Sequence, residues 1–303
     1  MRHCLPRLSL SACALALACA PATAQFDRAR SGRVDTLAPN PVKLAYVSQN
    51  LARNQTATYR YLDDLYILQT GNANNLQLVL DPKGSGRKVL QFTVRNTDPL
   101  YAGGSRTEIA LKYDYVMEGL RWYAFSVLFP TGWVFHPSPT VVAQLHTSQK
   151  TLSVPPPVSV VASGTDLNME FHYNYRNTDG TGTNPATRAN TGQQLVRLAK
   201  IQTNKWYCFV VRADWSYKPG LGSVKAWMNG NVAYETKNAF NAYQTWLGNY
   251  PKVGAYLPGT MAVPSRTLYT DFIYTGGATS TFDQMTALTP CGATISPTPP
   301  VIK

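Results

Sequence analysis

Between residues 76 and 274 the chain is divided into short runs of β-branched, aromatic and aliphatic residues, each closed by a turn signal. Leu76 to Leu80, Val89 to Val94, Trp122 to Phe129, Val141 to His146, Met169 to Tyr175, Trp206 to Val211, Ser223 to Met228, Lys252 to Leu257 and Leu268 to Tyr274 have the length and composition of strands. Asp81-Pro82-Lys83-Gly84, Asn177 to Gly182, Lys218-Pro219-Gly220 and Asn229-Gly230 supply the turns between them. Strands at this density imply an all-β fold, one jelly-roll sandwich of two antiparallel sheets large enough to bury its own core. Gln193 to Ile201 reads as a short helix. Thr147 to Asp166, with Pro155-Pro156-Pro157, and Arg176 to Gln193, rich in Gly, Thr and Asn, read as long loops, either binding loops or plain surface insertions.

The ends have a different composition. Arg2 and Arg7, an apolar stretch from Leu8 to Ala20 too short to span a bilayer, and Ala22-Thr23-Ala24 have the form of a signal peptide over residues 1–24, cleaved after Ala24. Leu10-Ser11-Ala12-Cys13 resembles a lipoprotein box but has almost no apolar segment ahead of it, so simple export, secreted or periplasmic, is the expectation. Residues 25–44 form a polar, irregular segment, 45–291 a single domain, and 292–303 a Pro/Thr-rich tail. No later segment suits a membrane helix.

The leader contains two arginines and no acid, so its removal leaves 26 basic against 16 acidic residues. The basic residues are dispersed, unlike a nucleic-acid arm, and export disfavours nucleic acid as a partner; an acidic polysaccharide suits the charge. A monomer is expected. Of the five cysteines only Cys208 and Cys291 lie beyond the leader. In an oxidising compartment they are expected to pair, with two free buried thiols as the alternative. No Cys/His cluster suggests zinc.

Three segments carry chemistry: Ser105-Arg106-Thr107-Glu108-Ile109, Gln144-Leu145-His146, and Tyr250-Pro251-Lys252-Val253-Gly254-Ala255-Tyr256. Strand alternation puts Gln144 and His146 on one face with Val141, Ala143 and Leu145 on the other. It likewise groups Tyr250, Lys252, Gly254 and Tyr256, with Val253, Ala255 and Leu257 behind. Such a face is suited to hold an anion and move a proton. Glu170, His172 and Asn174 share a face by the same parity, which makes His172 a further candidate for a cleft.

The order Arg-Thr-Glu, Gln-x-His, Tyr-x-Lys-x-Gly-x-Tyr resembles the jelly-roll polysaccharide lyases: the family 20 glucuronan lyases, the family 13 heparin lyase I group and the family 7 alginate lyases. Leu80-Asp81-Pro82, Tyr123 to Pro130, Trp206 with Val210-Val211-Arg212, and Val224 to Gly230 match as well, so the likeness covers roughly residues 76 to 275. It implies a concanavalin-like sandwich that cleaves a uronate-bearing chain by β-elimination to 4,5-unsaturated ends. The implied catalytic residues are His146 and Tyr256, Tyr256 as acid and either one as base according to the sugar's stereochemistry. Arg106 and Gln144 are the residues implied to neutralise the uronate carboxylate, with His146 as a further candidate for that role, and Lys252 and, from its strand position, His172 complete the expected substrate-binding set; Arg106 and Glu108 also suit a structural ion pair. Lys252 is placed to act on the Tyr256 phenol or on a neighbouring carboxylate, and Gly254 to leave room for the sugar ring.

No cofactor is required by this chemistry. Some relatives hold a structural calcium, for which Asp271 is a possible ligand. Alginate lyases usually carry an Arg after Arg-Thr-Glu and a Gln after the last Tyr; Ala110-Leu111 and Leu257-Pro258 stand here, and Pro251 replaces an aromatic. A glucuronate-bearing polysaccharide is therefore the expected substrate, with alginate or a glycosaminoglycan as alternatives. Two other function classes compete: a non-catalytic carbohydrate-binding sandwich, and a hydrolase, for which Asp166 and Glu170 are the nearest approach to paired carboxylates.

Overall fold

The computed structural model describes residues 45–50, 56–61, 64–111, 114–148, 154–174, 191–218, 220–239, 241–243 and 247–292. The strands in chain order are β1 (Ala45–Asn50), β2 (Thr56–Tyr61), β3 (Asp64–Thr70), β4 (Leu76–Leu80), β5 (Lys88–Arg95), β6 (Gly104–Leu111), β7 (Gly119–Leu128), β8 (His136–Thr147) and β9 (Val158–Gly164). They continue with β10 (Asp166–Asn174), β11 (Thr191–Lys200), β12 (Trp206–Trp215), β13 (Gly222–Met228), β14 (Asn231–Ala239), β15 (Asn249–Pro258), β16 (Ser265–Thr270) and β17 (Tyr274–Gly276), before helix α1 (Phe282–Leu288). One sheet has nine strands in the order β1-β2-β3-β6-β15-β8-β9-β10-β11; the other has eight, running β14-β13-β12-β7-β16-β5-β4 with β17 also paired to β7. Both are antiparallel, as expected for a jelly roll.

The core lies between the sheets. β6, β8, β10 and β15 contribute Ile109, Leu145, Met169, Phe171, Val253 and Ala255, which meet Phe92, Phe125, Phe209 and Val211 from the second sheet. Trp215 is buried there and its Nε1 donates to the Tyr123 hydroxyl at 2.9 Å, which satisfies the polar end of a large apolar side chain. The motifs flanking the site are structural. The Trp206 Nε1 donates to Asp81 Oδ1 at 3.1 Å, tying the β4–β5 turn to β12, and the Asn229-Gly230 turn uses positive φ angles of 48° and 84°. Residues with these φ values match the right-handed twist of the β13–β14 hairpin.

Two expectations are corrected. Part of the Thr147 to Asp166 loop is β9: Val158-Ser-Val-Val-Ala162 pairs between β8 and β10, and the Pro triplet stands just before it. Gln193 to Ile201 lies mostly in strand β11, not a helix; its apolar spacing suits both periods, and pairing with β10 decides. Helix α1 and strands β1, β2, β3 and β14 had no clear counterpart in the apolar pattern. Residues 1–44, 175–190 and 293–303, and with them the leader, the irregular segment and most of the Gly/Thr/Asn-rich loop and tail, lie outside the described residues. No helix among the described residues is long and apolar enough to cross a membrane.

Cys208 and Cys291 form a disulfide across a sequence separation of 83, joining β12 to the segment after α1. Closing a loop of that length contributes about 4 kcal/mol or less through the entropy of the unfolded chain. A Cys208→Ser/Cys291→Ser double variant should therefore melt several degrees lower in a circular-dichroism scan. An unchanged Tm would show that α1 is held without the bridge.

Candidate active site

Strands β6, β15 and β8 are neighbours near the middle of the nine-stranded sheet. Their register sets Arg106 opposite Tyr256, Glu108 opposite Gly254, Lys252 opposite Gln144 and Tyr250 opposite His146. Directly opposed residues share a face. Intervening residues such as Ile109, Val253 and Leu145 belong to the core, so these polar side chains project from the sheet's outer face. Glu108, Gln144 and Lys252 are nevertheless only 1%, 3% and 3% exposed, so this part of the face is a buried polar floor and not an open surface. The row continues from Gln144 through Ser159 to Glu170, with His172 two residues further along β10. Every residue expected at the site thus lies on one face.

Bulges adjust that face. β8 pairs Val141 with Val161 but Ala143 with Val160, and β15 pairs Val253 with Ala143 but Tyr256 with Val141. An extra residue on one strand shifts the alternation. Ala143 and Leu145 occupy the core as expected, but Val142 takes the core position expected of Val141, which moves to the outer face opposite Tyr256. At Gly254 φ is +141°, and a Cβ would lie 2.3 Å from the Thr107 carbonyl oxygen and 2.6 Å from Glu108 Cα. Gly254 is therefore needed for close approach of the β6 backbone, not to leave open room above the sheet.

Glu108 organises the floor. Gln144 Nε2 donates to its Oε1 at 2.5 Å, and Arg106 Nη1 stands 3.4 Å from its Oε2. The Arg106 guanidinium also lies 3.9 Å from the centre of the Tyr256 ring and 5.6 Å from that of Tyr101. Gly104 approaches the same ring, since a Cβ there would sit 2.5 Å from Tyr256 Cε2. The phenol is thus fixed by the bare backbone of Gly104 and the stacked guanidinium. The cation against Tyr256 is Arg106; Lys252 instead donates to Gln69 Oε1 at 2.8 Å, with its Nζ 5.7 Å from the Tyr250 ring.

A methyl group at Gly104 would push this ring aside. Gly104→Ala should lower kcat about tenfold or more, since displacements near 1 Å can cost a hundredfold, and should also lower Tm, because the same Cβ would sit 2.9 Å from the Leu257 carbonyl oxygen. Full activity in that variant would show that the phenol's position is not critical.

Burial governs the protonation of the site. It lowers the Lys252 ammonium to about 8; the Glu108 charge opposes this and the Arg106 charge adds to it. His146 is lowered to about 3, mainly by burial, with the Lys252 and Arg106 charges contributing and a hydrogen bond to the Thr147 carbonyl opposing. That bond, 2.6 Å from Nδ1 to an oxygen that can only accept, puts the proton on Nδ1 and leaves the Nε2 lone pair available. His172 is held alike: Nδ1 donates to the Pro156 carbonyl at 3.0 Å, and burial lowers its pKa. Tyr250 packs 5.1 Å from Tyr115 and 5.5 Å from His146, and burial drives its phenol upward, as suits a packing aromatic.

Other candidates fall elsewhere. Asp271 is fully buried, 2.5 Å from Arg87 Nη2, and accepts from the Tyr274 hydroxyl. A guanidinium and one carboxylate do not fit a calcium site, which takes six to eight oxygens. No group of three metal-ligating side chains occurs among the described residues. Asp166 pairs with Lys200 at 2.7 Å and Arg197 at 3.5 Å. Gln69, Tyr101, Gly104 and Tyr115 support the site but did not stand out in the sequence; Gly104 had the clearest signal, next to Ser105-Arg106.

A polysaccharide lyase family model matches residues 49–274. No curated protein sequence matches the chain. Among solved structures, an endo-β-1,4-glucuronan lyase from the fungus Trichoderma reesei is 17% identical and aligns over 81% of this chain and 98% of its own, with a TM-score of 0.58. A family 7 alginate lyase is 17% identical over 70% of this chain and 95% of its own, with a TM-score of 0.47. An alginate lyase from Pseudomonas aeruginosa is 13% identical over 68% and 87%, with a TM-score of 0.45. At these identities the first likeness speaks for the fold, whereas the family model spans most of the chain and all three chemistry-bearing segments: the chain belongs to the polysaccharide lyase family.

Proposed function

We propose that this lyase is exported and cleaves a glucuronate-bearing anionic polysaccharide by β-elimination, with His146 and Tyr256 as the proton-transfer pair. The observation that carries the reading is the cross-strand register: Arg106 stands opposite Tyr256 and stacks on its ring, and Gln144 and His146 stand opposite Lys252 and Tyr250 on the same outer face. Imidazole and phenol therefore lie on one sheet face beside the buried row of Glu108, Gln144 and Lys252.

Elimination begins at C5 of the uronate, whose proton becomes removable once charge developing on the adjacent carboxylate is stabilised. Gln144 uses one amide hydrogen on Glu108 and retains the other, while Arg106 and Lys252 supply positive charge; each donor aimed at such a charge is worth roughly 3 kcal/mol. The proton passes to His146 Nε2 or to the Tyr256 phenolate according to the sugar's stereochemistry. The C4–O4 bond then breaks, the C5 electron pair forms the 4,5 double bond, and the Tyr256 hydroxyl protonates the departing oxygen. Burial is the main reason that His146 is a weak base, and a bound carboxylate would offset the smaller contribution of the Lys252 and Arg106 charges. His172, further along the face, contacts the chain beyond the scissile bond.

Polyglucuronate, alginate and glycosaminoglycans should be tested in turn. Ultraviolet absorbance from unsaturated ends on a glucuronate polymer is the expected result; reducing ends without absorbance would refute elimination, and binding without turnover would favour a carbohydrate-binding role.

The site also sets a pH profile. Lys252 is charged below about 8 and neutral above it, so kcat/KM should fall as pH rises through about 8, and a Lys252→Met variant should lose that limb. His146, at about 3, should give no acid limb between about pH 5 and 7. A limb near 6.5 would show a normal imidazole.

A further inference from the structure

Glu170 is half-buried on the outer face of β10, in the row that begins at Lys252 and Gln144, yet it has no ion-pair or hydrogen-bond partner among the described residues. Burial alone raises its pKa. A carboxylate held this way is costly unless a ligand completes it. Its surroundings narrow what that ligand can be. His172, on the same strand face, has its Nδ1 proton committed to the Pro156 carbonyl and so offers only an acceptor at Nε2. Ser159 and Asn168 are buried and uncharged. The nearby cation on β11, Arg197, is engaged by Asp166. This end of the face therefore carries one unpaired negative charge beside neutral groups that both donate and accept, Ser159, Asn168 and Gln193, whereas the end at Arg106, Gln144 and Lys252 carries, with Glu108 included, a net positive charge.

We propose that Glu170, with His172, forms a specificity subsite for an uncharged sugar, whose hydroxyls donate to it, and that it rejects a uronate carboxylate there. The inference rests on the glucuronate-lyase reading above and refines it: the preferred substrate is a glucuronate polymer interrupted by neutral sugars, not an unbroken polyuronate. A uronate carboxylate has no proton to donate and would meet a like charge at close range.

The test compares two polymers of one backbone: fully C6-oxidised cellulose, which is polyglucuronate, and partly oxidised cellulose, in which glucose and glucuronate are mixed at random. With wild-type protein, kcat/KM per uronate should be higher on the mixed polymer by about fivefold or more, with the gap narrowing as salt screens the repulsion. Glu170→Gln, which removes the charge and keeps the shape, should bring the ratio to within about twofold and make it insensitive to salt. A ratio that the substitution leaves unchanged overturns the proposal. Binding measured calorimetrically in a Tyr256→Phe background, with and without Glu170→Gln, separates the two readings. If neither polymer is cleaved, the glucuronate-lyase reading fails, and loss of the mixed-polymer preference in binding upon Glu170→Gln still decides for the subsite; equal binding of both polymers by the wild-type subsite decides against it.

Discussion

Replacing Tyr256 by Phe is expected to leave the fold intact and reduce turnover roughly a hundred- to ten-thousandfold, the range for loss of a positioned acid or base. The substitution removes one oxygen. The aromatic ring stays against Gly104 and under the Arg106 guanidinium at 3.9 Å, so packing and the cation–π contact persist. Melting temperature and KM should therefore change little while kcat falls with kcat/KM, the signature of an interaction made only in the transition state. Substantial retained activity would move the acid elsewhere. Tyr250, on the same strand face, is an alternative phenol, but burial and packing against Tyr115 and His146 make it a poor proton donor.

His146→Gln should be comparably severe for turnover, again about a hundredfold or more if the imidazole is the base. Its effect on stability has the opposite sign in acid. The folded-state pKa of about 3 lies below the unfolded value near 6.5, so between those values the unfolded chain binds a proton that the native chain does not. Wild-type stability therefore falls as pH drops from about 6.5 to 3, by on the order of 2 to 3 kcal/mol after allowing for the ring's partial exposure. The glutamine variant should lack this contribution. Melting temperatures recorded from pH 7 to 3 should show the two proteins diverging as acid is added, the variant losing less. Parallel curves would mean that His146 titrates normally, and the electrostatic account of the site would then fail. A stable variant with full turnover would instead leave Tyr256 as both base and acid.

Much of this site was legible in the chain because strands alternate strictly. Gln144 with His146, and Tyr250 with Lys252 and Tyr256, share a face in any regular strand, and the structure keeps both groups together. The reading failed where the backbone departs from regularity. Val141 changes face because β8 and β15 are bulged, and a bulge leaves little trace in a run of valines and alanines. Gly254 carried a visible signal, but its cause was misread: contact with the Thr107 carbonyl is a tertiary fact. β9 and β11 were misassigned for different reasons. A proline triplet stood just before one, and the other's apolar spacing fits a helix as well as a strand until a neighbour offers hydrogen bonds.

Residue types and their spacing determined by themselves that this chain forms a β-sandwich and presents an amide, an imidazole, an ammonium and a phenol on alternate positions, because period-two geometry is local. Which cation meets which ring was decided only by folding. Cross-strand register brings Arg106 onto Tyr256 and lets Lys252 reach Gln69, although β3, β6 and β15 are not consecutive in the chain. Burial was decided there too, and with it the neutral imidazole and the lowered ammonium, since desolvation belongs to the packed sheet and not to any single segment.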